Sequence, residues 1–304
     1  MRAPDAVVEQ VTRQARRRLA DSLRDKVAGR DAEQRARAIW LAQGERWFDR
    51  DDPVWRVHAD ASMFVGGIRA LLLQTLHPLA MAGVAGHSGY KSDPWGRLQR
   101  TSAFLAATTF GTVEDAEAAV ATVRGIHERV RGKAPDGRPY AASDPHLLGW
   151  VHAAEADSFL TAYQRHGRDR LTAAEADLFV EQSGRVAARL GVVDPPSTVA
   201  GLAAVLDGYR PELRSTTEAL EAARFLLLHP PLAWTNRIGY AALAGGAVAL
   251  LPVWAKRMLR LPVLPLTERV AAAPVADAAV RAVRWALADP RDPRNVRASA
   301  TPRA

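Results

Sequence analysis

The chain has 304 residues, of which 48% are hydrophobic and 24% charged, so it is long and apolar enough to bury a core that encloses a cofactor. It contains no cysteine, which excludes disulfides, thiolate metal sites and cysteine nucleophiles. The formal net charge of +8 comes mostly from scattered arginines and no nucleic-acid module is recognisable, so no nucleic-acid partner is expected.

In chain order, Val7 to Trp47 predicts one or two amphipathic helices, broken near Gly29. Arg13, Arg16, Arg17 and Arg18 are followed there by Asp21, Asp25, Asp31 and Glu33, the alternation of a solvated face. This charged start has no apolar core of a secretory signal, which predicts a cytoplasmic protein. The stretch "DDPVWRVHAD" reads as a connection, with Asp51, Asp52 and Pro53 as helix-start signals. A long apolar helix over Ala61 to Val84 follows, interrupted by Arg69, Gln74 and His77 and kinked at Pro78, whose ring removes a backbone donor. Arg97 to Thr109, Val113 to Arg131 and His146 to His166 predict further helices, with a turn and a short extended run over Asp136 to Pro145. Another helix covers Ala173 to Leu190, capped by Thr172 and stopped by Gly191. Thr198 to Leu228 is helical with a break at Pro211. Ile238 to Ala255 is the most apolar span. It reads as a core helix ending near Pro252, with peripheral membrane contact as the second reading. A last helix runs from Thr267 to Leu287. The class is all-α: an N-terminal helical extension over 1–50, one large domain with a globin-like core over 51–288, and a disordered tail over 289–304.

Two constellations can carry chemistry. Val113, Ala116, Val120, Val123, His127 and Val130 recur at steps of three and four, so His127 lies within an apolar stripe. A histidine there needs a partner, and a hydrogen-bonded core residue and a metal or haem ligand both satisfy that need. Arg97, Arg100 and Thr101 share one side of the preceding helix, where guanidiniums either bind carboxylates or simply face solvent. No ExxH pair suggests a di-iron bundle, and hydrolase, kinase and dinucleotide signatures are missing. Tyr140 either packs on the following helix or reaches a ligand.

The order of "LLLQTLHPLAMAGVAGHSGY", "DPWGRLQRT", "IHERVRGKAPDGRPYAASDPHLLGWVHAAEADSFL" and "LTAAEADLFVEQSGRVAARLG" resembles the latex-clearing protein (rubber oxygenase) catalytic-domain family. That family includes a fungal membrane-bound oxygenase of mycophenolic acid biosynthesis. The resemblance spans Asp51 to Leu228, with a weaker echo in "LLPVWAKRML". It implies a helical fold holding haem b, with His127 as the iron ligand and Arg97 and Thr101 at the haem. Arg100 stands where the rubber-cleaving members carry a lysine, and a guanidinium ligates iron poorly, so the open side of the haem differs here. Arg124 and Arg131, near His127 in the same helix, are further candidates for the haem propionates. His77, on the apolar helix, is expected to line the pocket and, with Arg100, to take part in the chemistry. The resulting expectation is a haem-dependent oxygenase that delivers dioxygen to a hydrophobic small molecule or lipid. The alternative is a non-catalytic haem-binding, lipid-binding or peripheral membrane protein.

Overall fold

Among the described residues, six helices begin at a side-chain cap, and three of these end at a glycine. In the computed structural model, which describes residues 32–87, 89 and 91–288 with isolated positions between 14 and 29, Thr112 and Asp115 form a reciprocal capping box. Thr172 and Glu175 form another, and Gly191, at a left-handed φ of 113°, closes the helix that Thr172 opens. The chain is all-α apart from one small hairpin. Its elements are α1 (Ala32–Leu41), α2 (Pro53–His58), α3 (Met63–Gln74), α4 (Pro78–His87), α5 (Pro94–Phe110) and α6 (Val113–Arg129). The strands β1 (Arg131–Lys133) and β2 (Pro139–Ala141) follow, then α7 (Pro145–His166), α8 (Ala173–Leu190), α9 (Val199–Tyr209), α10 (Thr217–Leu228), α11 (Trp234–Leu250) and α12 (Val253–Met258). A turn at Pro265–Thr267 passes through a π-helical turn, Glu268–Ala272, into α13 (Ala273–Leu287).

Three differences from the sequence reading have physical causes. The helix expected to kink at Pro78 is two helices, α3 and α4, meeting at 108°. Pro78 starts the second rather than bending the first, because proline is at home in a first helical turn. Among the described residues no single helix is long and apolar enough to cross a membrane, and only this bent pair passes that test jointly. The extended run at Tyr140 pairs antiparallel with Arg131–Lys133, a strand that the helical pattern of the preceding segment hid. In α11 only the C-terminal half is core: Leu243, Ala244 and Ala247 are buried, whereas Trp234 and Ile238 are each 77% exposed. The helices expected before Gly29 fall largely outside the described residues, as does the tail over 289–304.

The antiparallel pair α3 and α7 is the axis of the fold. Gln74 Nε2 donates to Val151 O at 3.5 Å at one end, and Gly66 packs directly on Phe159 at the other. On one side of this pair lies the main core, where Leu72, Leu76, Trp150 and Ala154 meet α11 and α13. Arg69 is buried there at 3% exposure, yet satisfied by Asp157 (2.7 Å), Ser158 Oγ (2.7 Å) and Leu250 O (3.0 Å). It thereby ties α3, α7 and α11 together without leaving an unpaired charge. A second core of Trp40, Trp55, Phe110, Phe159 and Phe179 joins α1, α2, α5, α7 and α8.

Candidate functional site

The second side of the α3–α7 pair is where packing stops. Along α3, otherwise mostly buried, Met63, Gly67, Leu71 and Gln74 are only half-buried. Their steps of four, four and three put them on one stripe. A Cβ added to Gly67 would meet nothing within 4 Å. On α7, His152 and Glu155 likewise lie deep in the protein but are only half-buried. The register fixed by Gln74–Val151 and Gly66–Phe159 sets them on the same side as the α3 stripe. Facing them is the α5–α6 hairpin. No residue of α5 is fully buried before Thr108, and none of α6 after Val120. These helices pack on each other and on α1, α2 and α8, and barely touch α3 or α7. Away from the second core, the hairpin is therefore only sparsely joined to the α3–α7 axis, and the region between them is called the slot below. Its far end is closed by His58 Nδ1 on Thr109 Oγ1 (2.8 Å) and by Phe110 in the second core.

The polar groups facing this slot are poor in partners. His127 Nδ1 and His152 Nε2 are buried nitrogens without a hydrogen bond. Burial lowers the His127 pKa and brings those of His152 and His58 down to about 4, so all three rings are neutral near pH 7. Burial pushes the Glu155 carboxyl up to about 7, where it both gives and takes a proton at neutral pH. Neutral imidazole is the form that ligates metals.

Of the residues singled out in the sequence, the hairpin brings some together. Because α5 and α6 are antiparallel about Gly111 and Thr112, Arg97 and Thr101 lie level with the last turns of α6, which carry His127. His127 is half-buried rather than sealed in a packed stripe, and Arg97 is half-buried too. Thr101 donates its hydroxyl to Arg97 O at 3.1 Å and is exposed. Arg100 is exposed and pairs with Asp93 at 3.3 Å. Arg124 is exposed, and Arg131 is exposed and donates to Glu128 O. Tyr140 is buried in a small cluster with Ala82, Ala134 and Leu147, its hydroxyl 3.4 Å from His87 Nδ1. His77 sits apart. It lies beside Trp150, Tyr209 and His146, on the face of α7 turned away from the slot.

Sequence reasoning did not single out His58, and it set His152 and Glu155 aside because "HAAE" runs in the reverse order of an ExxH pair. His152 and Glu155 are three apart on one helix, a spacing visible in "HAAE", but only the gap opposite gives the pair meaning.

The fold defines an all-helical protein in which the imidazoles of His58, His127 and His152, all kept neutral by burial, lie between the hairpin and the α3–α7 axis. Residues 55–285 match the family described as ER-bound oxygenase mpaB/B'/Rubber oxygenase, catalytic domain, and the chain belongs to that family. No curated protein and no solved structure matches it. The family assignment makes this an oxygenase-type catalytic domain, in line with the resemblance carried by the sequence motifs.

Proposed function

We propose that the slot holds haem b and that the protein is a haem-dependent oxygenase acting on a hydrophobic small molecule or lipid. The observation that carries this reading is the unpartnered, neutral His127 on a helix held off the α3–α7 axis. An orphaned imidazole nitrogen costs free energy in a filled interior, and ligation of a metal removes that cost. The open side of Gly67 supports the same reading, since a larger residue there would fill space that a flat prosthetic group needs.

When bound, haem supplies the iron centre at which dioxygen is taken up for oxygenation. The chain's own residues do the rest. His127 would ligate the iron, and Arg97, level with it on α5, would neutralise a propionate. Leu71 would present apolar surface to a hydrophobic substrate, beside Met63, Phe104 and Leu105, which pack on the second core and help to exclude water. Glu155 holds or releases a proton inside the slot near neutral pH. Arg100 stands at the surface on Asp93, and we assign it no contact with the reacting groups.

The test is spectroscopic. Protein reconstituted with haemin is expected to show a Soret band that disappears in His127→Ala and survives in His152→Ala. Loss of the band only in His152→Ala would move the ligand to α7, and failure of the wild-type chain to take up haemin would end the haem reading. Oxygen consumption with apolar alkenes or lipids then separates an oxygenase from a carrier of the same fold.

A further inference from the structure

The face of α7 turned away from the slot carries a second group of ligating atoms. His77 follows α3, His146 stands in the first turn of α7, and Glu212 lies in the connection after α9. His146 Nε2 is 2.9 Å from both Glu212 carboxylate oxygens, and His77 Nε2 is 3.4 Å from Oε2. One ligating atom from each residue lies within 4.8 Å of the others. Around a tetrahedral divalent ion with bonds of about 2.0–2.1 Å, ligand atoms stand about 3.3 Å apart, so the two histidine–carboxylate sides are already within a few tenths of an ångström of that spacing, and the side between the two histidines closes by at most about 1.5 Å.

These three side chains are held by contacts that do not depend on one another. The Asp144 side chain caps the start of α7 by accepting from His146 N at 2.9 Å, and Tyr209 O–H donates to His146 O at 2.7 Å. The Tyr209 ring also lies 4.7 Å from the His146 ring. Arg214 N donates to Leu76 O at 2.8 Å, joining the segment of Glu212 to that of His77. His77 is 1% exposed, walled by Trp150 and Tyr209, whereas His146 and Glu212 reach solvent and leave a path of entry. The nearby cation Arg138 is engaged by Asp136 at 2.7 Å. One contact opposes binding. Ala80 N–H lies 3.4 Å from His77 Nδ1, and ligation through Nε2 moves the ring proton to Nδ1. At that length the bond is weak, and its loss is a small cost.

We propose that His77, His146 and Glu212 form a binding site for a divalent cation of the zinc class, separate from the slot. Two imidazoles and one carboxylate suit zinc, ferrous, cobaltous or nickel ions, and three protein ligands leave at least one position for water. The ion would clamp the bend between α3 and α4, the start of α7 and the α9–α10 connection. This assignment does not rest on the haem reading.

Titration of the full-length, haem-free protein with Zn²⁺ in a calorimeter, and with Co²⁺ followed by visible absorption, tests it. Saturation at one equivalent is expected, with affinity reduced by at least about tenfold in both His146→Ala and Glu212→Gln. Both residues are partly exposed, so these variants keep the fold even if His77→Ala does not. His152→Ala, in the slot, is expected to bind like wild type. Absence of saturable binding, equal binding by the His146 and Glu212 variants, or loss of binding in His152→Ala each overturns the proposal.

Discussion

At the scale of single residues, the slot is marked by titratable groups whose environments oppose their charge. Glu155 shows this most clearly. Its carboxyl titrates near 7 in the fold against an ordinary 4.5, so folding favours the protonated form. The stability this contributes is fully present below pH 4.5 and is lost as pH rises through 7. The gap corresponds to about 3 kcal/mol at most. His152 acts in the opposite sense: its pKa falls from 6.5 to about 4, so its contribution is present above pH 6.5 and lost as pH falls through 4. Between these limits the two nearly cancel in the wild type. Glu155→Gln removes one of them, so in haem-free protein its stability relative to wild type is expected to rise from pH 4.5 to pH 8. Urea unfolding at both pH values measures this, and a pH-independent difference would show that Glu155 ionises freely. His127 was legible in the sequence as a residue in need of a partner. Glu155 was not, because i to i+3 spacing on a helix is shared by countless solvated pairs.

At the scale of elements, two adjacent glycines in α3 separate packing from vacancy. A Cβ on Gly66 would come within 2.8 Å of the Phe159 ring and 3.2 Å of its backbone, while one on Gly67 would touch nothing. Gly66→Ala is therefore expected to destabilise by about 1–3 kcal/mol through overpacking. Gly67→Ala is expected to stabilise the haem-free chain by about 0.5–1 kcal/mol, since it only removes helix-interior glycine entropy. Thermal unfolding of the two variants decides the matter, and a Gly67→Leu variant that folds but takes up no haemin would tie that space to the cofactor. Most of the longer described helices were readable, because capping residues and three-and-four spacing are local, whereas the six-residue helix Pro53–His58 read as a connection. The break at Pro211 also reads directly, as the gap between α9 and α10. The hairpin at Tyr140 and the 108° turn at Thr75 to His77 were not readable. Both depend on what the chain packs against, and "GGIRALLL" looks equally apolar on its packed and its open side.

At the scale of the whole molecule, the protein consists of a packed body and a loosely seated hairpin. The body holds a core around Leu72, Trp150, Leu243 and Val280, and Arg69 fastens it. Helices α5 and α6 lack a sealed face over most of their length. Amide hydrogens in the N-terminal half of α5 and the C-terminal half of α6 are expected to exchange faster than those of α3 and α7, and to slow when haemin is added. Equal protection in both layers, with or without haemin, would contradict that division. The layered layout also sets an order of events. The main core lies wholly on the other side of α7 from the slot, so its formation does not wait for anything inside the slot. On the haem reading proposed above, a newly made chain would complete its body, hook the hairpin at Thr109 on His58, and receive the group afterwards through the unhooked end. Supply of the group would then govern how many finished molecules work, not how many fold.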